Sequence, residues 1–207
     1  RGAEFLFHYL ERGQLGLQES CECTLELNPE VADLSKLVSA WKQFGVNRFS
    51  VGVQSTRHNF LGLLGRSHTE KDIFDALTYL AAHKLNYSVD LMLGLPYSKQ
   101  FQREVTQELE RVLEFSPPHL SIYILTVKKN YRHHATLPDD EWIRREYLGV
   151  AQLLVERGYD HYEVSSFALP GFQSGHNLEY WQQHSVAALG PSASGFLLGD
   201  GIQTGGL

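Results

Sequence analysis

The segment Ser174–Trp181, with the sequence SGHNLEYW, brings several chemically useful side chains together. Its core, His-Asn-x-x-Tyr-Trp, combines an imidazole, an amide and two large aromatic rings. Such residues can ligate a metal through His176 and hold a flat conjugated ring against aromatic faces. The pattern is also typical of a loop that enters a helix, with Asn177 as the N-cap and with Tyr180 and Trp181 buried in the core. Composition alone favours this second, structural interpretation.

Composition and charge exclude several classes of protein. The 207 residues carry a formal charge of −6, which argues against a nucleic-acid partner. We expect neither a transmembrane segment nor a signal peptide, since no apolar run reaches the ~20 residues of a membrane span. Cys21 and Cys23 are too few for a disulfide framework, and they are expected to share one face of a predicted strand. Reduced thiols in a cytoplasmic protein are the expectation.

Short apolar runs alternate with longer amphipathic ones along the chain. The short runs predict strands at Glu22–Leu27, Arg48–Val53, Ser88–Leu93, Leu120–Leu125 and Tyr162–Ser165. The longer runs predict helices at Glu4–Arg12, Asp33–Phe44, Glu70–Lys84, Gln102–Phe115 and Asp140–Arg157. Strand–helix–strand units of this length imply parallel pairing with right-handed crossovers. The chain therefore predicts an α/β fold, either an open doubly wound sheet or part of a (β/α) barrel.

Polar residues lie at the predicted strand ends, where both of these folds bind their ligands. Glu26 and Gln54 come at the ends of the first two strands, Asp90 lies within the third, and Arg66 follows the second. Arginine pairs with a carboxylate, and a carboxylate receives an ammonium or a ribose diol. Each residue taken singly is better explained as a surface charge or a structural ion pair. Together, the four favour a site for a zwitterionic, hydroxyl-rich ligand.

Six segments, in their order and spacing, resemble one known family. They are ECTLELNP, GVNRFSVGVQS, LLGRSHT, DLMLGLP, HLSIYILT and GYDHYEVSSFALPG. From about Glu22 onward the chain is similar to the radical S-adenosylmethionine (SAM) proteins related to oxygen-independent coproporphyrinogen III oxidase. The motif HNxxYW resembles the signature of their heme chaperone branch. The resemblance implies an incomplete (β/α)6 barrel over residues 1–165, without its N-terminal strands, and a C-terminal extension over residues 166–207.

The same resemblance implies two binding sites. The SAM site would comprise the four residues near the strand ends: Glu26, Gln54, Arg66 and Asp90. The heme site would comprise the four residues of the C-terminal motif: His176, Asn177, Tyr180 and Trp181. Arg66 would take the methionine carboxylate of SAM, and the imidazole of His176 would ligate the heme iron.

The family's [4Fe-4S] cluster is the main departure from the resemblance. The family holds the cluster on a CxxxCxxC motif, which this chain lacks, and Cys21 and Cys23 fall too late in the sequence to replace it. The chain also starts at Arg1 without an initiator Met, so we expect it to be a piece of a longer polypeptide. The cluster is accordingly expected in the full-length protein only.

Three functions are compatible with these implications. The first is a heme-binding chaperone on a radical SAM scaffold, which delivers heme to recipient hemoproteins. The second is an enzyme that decarboxylates the propionates of coproporphyrinogen III through a 5′-deoxyadenosyl radical. The third is a partial barrel without any ligand. HNxxYW favours the chaperone, whereas the strand-end residues do not separate the first two, and the open strand edges make a homodimer a further possibility.

Overall fold

The structure, a computed structural model, describes residues 21–188 and 193–196. Within these residues, six strands form one sheet: Thr24–Leu27 (β1), Arg48–Gln54 (β2), Tyr87–Leu93 (β3), His119–Ile124 (β4), Asp160–His161 (β5) and Ser166–Ala168 (β6). Their spatial order is β1-β2-β3-β4-β6-β5. The first four strands are parallel, and β6 runs antiparallel to both β4 and β5. The predicted α/β fold is confirmed, and its barrel is not closed.

Helices connect and cover the strands. They span Leu34–Lys42 (α1), His58–Leu63 (α2), Glu70–Ala82 (α3), Val105–Leu113 (α4), Asp140–Glu156 (α5) and Gly175–Trp181 (α6). Asp33 caps α1 by accepting a hydrogen bond from the Lys36 amide at 3.0 Å. Thr69 and Asp72 form a reciprocal capping box at the start of α3. Within the described ranges, none of the helices is both long and apolar enough to cross a lipid bilayer.

Two predicted elements differ from the structure. The predicted strand Tyr162–Ser165 is wrong, because these residues form the turn between β5 and β6; there the Ser165 amide donates to the Glu163 carboxylate at 3.0 Å. Cys21 and Cys23 precede β1 rather than lying on it. The Asn47 side chain bonds their backbone instead, to the Cys23 amide at 2.9 Å and the Cys21 carbonyl at 2.8 Å. The predicted helix Glu4–Arg12 lies outside the described residues.

The two faces of the sheet have opposite polarity. Alternate residues of β2, β3 and β4 form the apolar face, which packs with side chains of α1, α3, α4 and α5 into one core. Val51, Val89 and Leu120 lie side by side in register on this face and are fully buried. Each such side chain contributes about 1.5–3 kcal/mol on burial. The intervening residues leave the other face of the sheet polar, and we call it the inner face.

The chain divides into two compact units, with the boundary between Phe172 and Gln173. The first unit holds the sheet with α1–α5. The second unit contains α6 and an antiparallel bridge between Val186 and Phe196. The division into residues 1–165 and 166–207 stays a prediction about domain organisation.

Candidate functional site

Two of the four predicted SAM residues, Glu26 and Asp90, lie in register with serines of the inner face. In register, Glu26 of β1 lies beside Ser50 of β2, and Asp90 of β3 lies beside Ser121 of β4. The Ser50 hydroxyl donates to Oδ2 of Asp90 at 3.0 Å, and the Ser88 hydroxyl donates to Ser50 Oγ at 3.0 Å. A chain of hydroxyl groups thus links neighbouring strands across the face. Its small polar members were missed by the sequence prediction, although a serine at an alternate position of an apolar strand is a usable signal.

Asp90 is the most perturbed group on this face. Burial raises its pKa to about 6; the Ser50 and Ser121 hydroxyls lower it, the Glu26 carboxylate raises it further and Arg48 lowers it. Oδ1 of Asp90 is buried and has no hydrogen-bond partner among the described residues. A buried carboxylate oxygen without a donor is costly, so this position favours a ligand that brings a hydroxyl or ammonium group.

Gln54 ends β2 in an unusual backbone conformation. Its φ is +65°, and the Ser55 amide donates to the Val53 carbonyl at 2.8 Å across it. This is a γ-turn with a positive φ at the central residue, which is a rare and strained form. The turn stops the strand at this point and changes the direction in which the Gln54 side chain leaves the backbone.

Gly52 lies on β2 between Ser50, which contacts Asp90, and Gln54. It lies two residues after Ser50 and therefore on the same face of β2. A Cβ built on Gly52 would lie 3.0 Å from Nε2 of Gln54 and 3.6 Å from Oδ1 of Asn28. Nη1 of Arg66 donates to that same Asn28 oxygen at 3.0 Å. Both amides therefore lie beside Gly52 on the inner face, and Arg66, three residues after the end of α2, contacts the Asn28 amide.

Bulky side chains occupy the amino end of the inner face. His119, at the start of β4, is fully buried, and its Nε2 lies 2.7 Å from the Tyr162 hydroxyl. Burial, with a further contribution from Arg48, lowers the pKa of His119 to about 3, so the ring is neutral at physiological pH. A ligand would consequently approach the inner face from the carboxyl ends of the strands, where Gln54 and Arg66 lie.

The C-terminal motif forms the short helix α6. Ser174 is its N-cap and accepts a hydrogen bond from the Asn177 amide at 3.3 Å. Asn177 thus lies inside the helix, so its interpretation as the N-cap is wrong. His176 is exposed in the first turn, and Tyr180 follows four residues later on the same side of the helix.

The two aromatic rings of the motif do not belong to a core. Tyr180 is 52% exposed and Trp181 is 51% exposed, which overturns the interpretation of both as buried residues. The Tyr180 ring meets Trp181 edge-on at a centroid distance of 5.9 Å and Phe196 at 5.8 Å. Exposed aromatic rings beside an exposed imidazole are typical of a surface that binds a flat apolar ligand.

Comparison with known proteins gives the family. Residues 1–109, more than half of the chain, match the sequence profile of the radical SAM superfamily. The chain belongs to the radical SAM superfamily. The resemblance that the sequence motifs indicated is thereby confirmed.

Several relatives within the superfamily carry a functional name. The chain is 35% identical over 195 residues to the heme chaperone HemW of Lactococcus lactis, which covers 90% of this chain and 50% of that protein. It is 36% identical over 188 residues to the heme chaperone HemW of Escherichia coli, and this match covers 89% of the chain and 49% of that protein. It is also 38% identical over 201 residues to the mitochondrial radical S-adenosyl methionine domain-containing protein 1 of Mus musculus. This match covers 92% of the chain and 44% of that protein. The chain spans about half the length of the curated relatives it matches.

A solved structure supports the fold. Coproporphyrinogen III oxidase (HemN) from Escherichia coli, a radical SAM enzyme, superimposes with a TM-score of 0.74 at 21% sequence identity. The match covers 94% of this chain and 48% of that enzyme. Identity at this level shows a common fold and carries no inference about activity.

The donor set of this chain does not fit an iron–sulfur cluster. The chain contains two cysteines, whereas the CxxxCxxC motif of the family supplies three thiolates to its [4Fe-4S] cluster. Among the described residues, no group of three or more His, Cys, Asp or Glu side chains is arranged to hold a metal ion. The inner face does fit SAM, because Asp90 and the Gln54–Asn28–Arg66 group offer acceptors and a guanidinium for its ammonium, hydroxyl and carboxylate groups.

Proposed function

We propose that the chain is part of a heme-binding chaperone built on a radical SAM scaffold. The observation that carries this proposal is the exposed motif on α6, where His176, Tyr180 and Trp181 combine an imidazole with two accessible rings. Imidazole is a common axial ligand of heme iron, and aromatic faces shield the macrocycle. The names of the bacterial relatives agree with this function. A carrier must release its cargo, and a ligand exposed on a short helix suits transfer better than an enclosed pocket does.

In this proposal the inner face binds SAM. Asp90 and Glu26 would receive the ribose hydroxyl and ammonium groups, because both carboxylates lie on the face and Asp90 has a buried oxygen without a donor. Arg66 would pair with the methionine carboxylate through its exposed guanidinium. Gln54 would contribute its amide beside Gly52. These residues would hold and orient SAM, and the two cysteines of this chain are too few for the cluster that radical chemistry on SAM would require.

The cargo would be passed to recipient hemoproteins, and Asn177 would support the heme site from within α6. Transfer from an exposed helix requires that the recipient approach the motif directly. A cytoplasmic location and a homodimer remain predictions, since the relatives include bacterial proteins and one whose name places it in mitochondria.

A heme titration combined with an activity assay tests the function. The full-length protein, which is expected to carry the cluster, is titrated with heme and followed by its Soret band, and coproporphyrinogen III is then incubated with it, SAM and reductant. The chaperone proposal predicts saturable heme binding and no decarboxylated product. Decarboxylation without stable heme binding would support the enzyme instead. The absence of both activities would leave the chain as a scaffold without these ligands and would overturn the proposal.

A further inference from the structure

A buried carboxylate lies behind the turn that carries Gln54. Glu108 of α4 is 3% exposed, although acidic side chains are rarely buried unless they are paired. Its Oε2 accepts a hydrogen bond from the Ser55 hydroxyl at 2.6 Å and another from the Thr56 amide at 2.9 Å. Both donors belong to the residues that directly follow Gln54. The carboxylate therefore fixes the outgoing backbone of the γ-turn.

Arg103, two residues before α4, completes this network and connects it to the neighbouring strand β3. Its Nε donates to Oε1 of Glu108 at 2.7 Å, and its Nη1 donates to the Met92 carbonyl of β3 at 2.8 Å. Burial alone would raise the pKa of Glu108, but the charge and hydrogen bonds of Arg103, followed by the bonds from Ser55 and Thr56, lower it overall. Glu108 is thus ionised at neutral pH and ties the carboxyl ends of β2 and β3 together.

The strain at Gln54 suggests what this network does. A non-glycine residue at positive φ persists where its surroundings over-determine the conformation, and such residues cluster at binding sites. The γ-turn brings the Gln54 amide over Gly52 on the inner face. We propose that Glu108 is a positioning residue for SAM binding, which holds the strained turn so that the Gln54 amide faces the ligand. The inference rests on the proposed SAM contact of Gln54.

Glu146 provides a matched control. It lies on α5, is 5% exposed, and accepts hydrogen bonds from the Gly94 amide at 2.9 Å and from the Trp142 indole at 3.1 Å. Like Glu108, it is a buried carboxylate from a covering helix that holds the turn after a strand. Its turn, however, carries none of the four predicted SAM residues. Removing either carboxylate should therefore cost stability, while SAM binding should respond to Glu108 alone.

The experiment compares four variants in the purified protein: Glu108→Gln, Glu146→Gln, Gln54→Ala and the double variant Gln54→Ala/Glu108→Gln. Thermal melting and SAM calorimetry are measured on each. Both glutamate variants should melt at lower temperature. Glu108→Gln should weaken SAM binding about tenfold, the equivalent of one lost hydrogen bond, and Glu146→Gln should keep wild-type affinity. The double variant should bind SAM no more weakly than Gln54→Ala, because Glu108 acts through Gln54.

Two results would overturn the inference. One is equal SAM affinity in both glutamate variants. The other is a double variant whose loss of SAM affinity equals the product of the fold-losses of Gln54→Ala and Glu108→Gln. Hydrogen exchange over residues 54–57 without SAM gives a separate readout. Faster exchange in Glu108→Gln, but not in Glu146→Gln, is expected if Glu108 holds the turn, and unchanged exchange would contradict that role. If the wild-type protein bound no SAM, the proposed function would fail, and the exchange data alone would decide whether Glu108 holds the turn.

Discussion

The Ser50 hydroxyl lies 3.0 Å from Oδ2 of Asp90, while Oδ1 of the same carboxylate is buried without a hydrogen-bond partner among the described residues. One carboxylate oxygen of Asp90 on β3 thus accepts a hydrogen bond from β2, whereas the other oxygen accepts none from the described residues. Burial makes the ionised form of Asp90 unfavourable and raises its pKa to about 6, and the Ser50 hydrogen bond offsets this only in part.

Replacing Asp90 by Asn should make the stability of the protein less dependent on pH. The pKa of Asp90 rises from 3.8 to about 6 on folding, so the folded state binds the proton more tightly. The wild-type protein therefore loses stability as the pH rises from 3.8 to about 6, and the full loss persists above that range. A shift of this size corresponds to about 3 kcal/mol. The free energy of unfolding can be measured in urea at about pH 4 and about pH 7.5. The difference between variant and wild type should shift in favour of the variant by about 2–3 kcal/mol from the lower pH to the higher. The exposed Asp160→Asn serves as a control, and a gain of equal size in that variant would contradict the role of Asp90.

SAM affinity should fall in acid through protonation of Asp90. The proposed contact requires the carboxylate, and because the pKa of Asp90 is about 6 in the free protein, protonation competes with binding below that pH. Calorimetry from pH 8 to pH 5 should show affinity falling by up to about tenfold per pH unit below 6. Asp90→Asn should bind more weakly and lack this dependence on pH. Parallel pH profiles for the two proteins would argue against the assignment.

Gly52→Ala should weaken SAM binding while preserving the fold. The added methyl carbon would lie 3.0 Å from Nε2 of Gln54, a contact that the flexible end of this side chain can relieve by moving. Little stability is lost, but the amide leaves its place on the inner face. We expect an unchanged melting temperature and a loss of SAM affinity of about 1 kcal/mol or more. Gly62→Ala, which meets open space, is the matched control. A Gly52→Ala protein with wild-type affinity would remove Gln54 from the site.

Arg66→Ala should weaken SAM binding by about 1.5–3 kcal/mol, the range for hydrogen bonds to a charged group. The exposed guanidinium is held by Asn28 and adds nothing to the core, so the melting temperature should stay close to that of the wild type. Arg66→Lys should recover part of the affinity, because lysine restores the charge without the planar fork. Full affinity in Arg66→Ala would show that the carboxylate of SAM is bound elsewhere.

His176→Ala should shift or abolish the Soret band of bound heme and leave SAM binding unchanged, since α6 carries none of the predicted SAM residues. Trp181→Ala should weaken heme retention without changing the axial ligand, because its contribution would be contact with the macrocycle. His184→Ala, which removes another exposed imidazole of the same unit, should preserve the spectrum. Identical heme spectra in His176→Ala and wild type would move the iron ligand to another residue.

The strands β2, β3 and β4 and their parallel pairing were predictable because apolar alternation repeats over five or more residues in each of them. The same reasoning failed at Tyr162–Ser165, where four residues are too few to distinguish a strand from a turn between two short strands. The strand-end rule brought Glu26 and Asp90 correctly onto one face, since residue parity along parallel strands determines which side chains meet.

Other parts of the site depend on tertiary contacts. The local sequence around Gln54 does not indicate a positive φ, because the turn is held by Glu108 from a helix more than fifty residues away in the chain. A weak signal did exist: Glu108 lies among Val105, Leu109 and Val112 on the apolar side of α4, where a carboxylate requires a partner. The identity of that partner is a property of the fold and not of the local sequence.

If the inner face binds SAM as proposed, its occupancy also affects the lifetime of the protein. Oδ1 of Asp90, which has no partner among the described residues, would gain one from a bound molecule, so occupancy would add to the free energy of unfolding. By mass action, a ligand at a hundred times its dissociation constant adds about 2.7 kcal/mol. Domains of this kind have only about 5–15 kcal/mol in total. The empty protein would unfold and meet cellular proteases more often than the filled one, so the supply of ligand would regulate how much of the protein a cell retains.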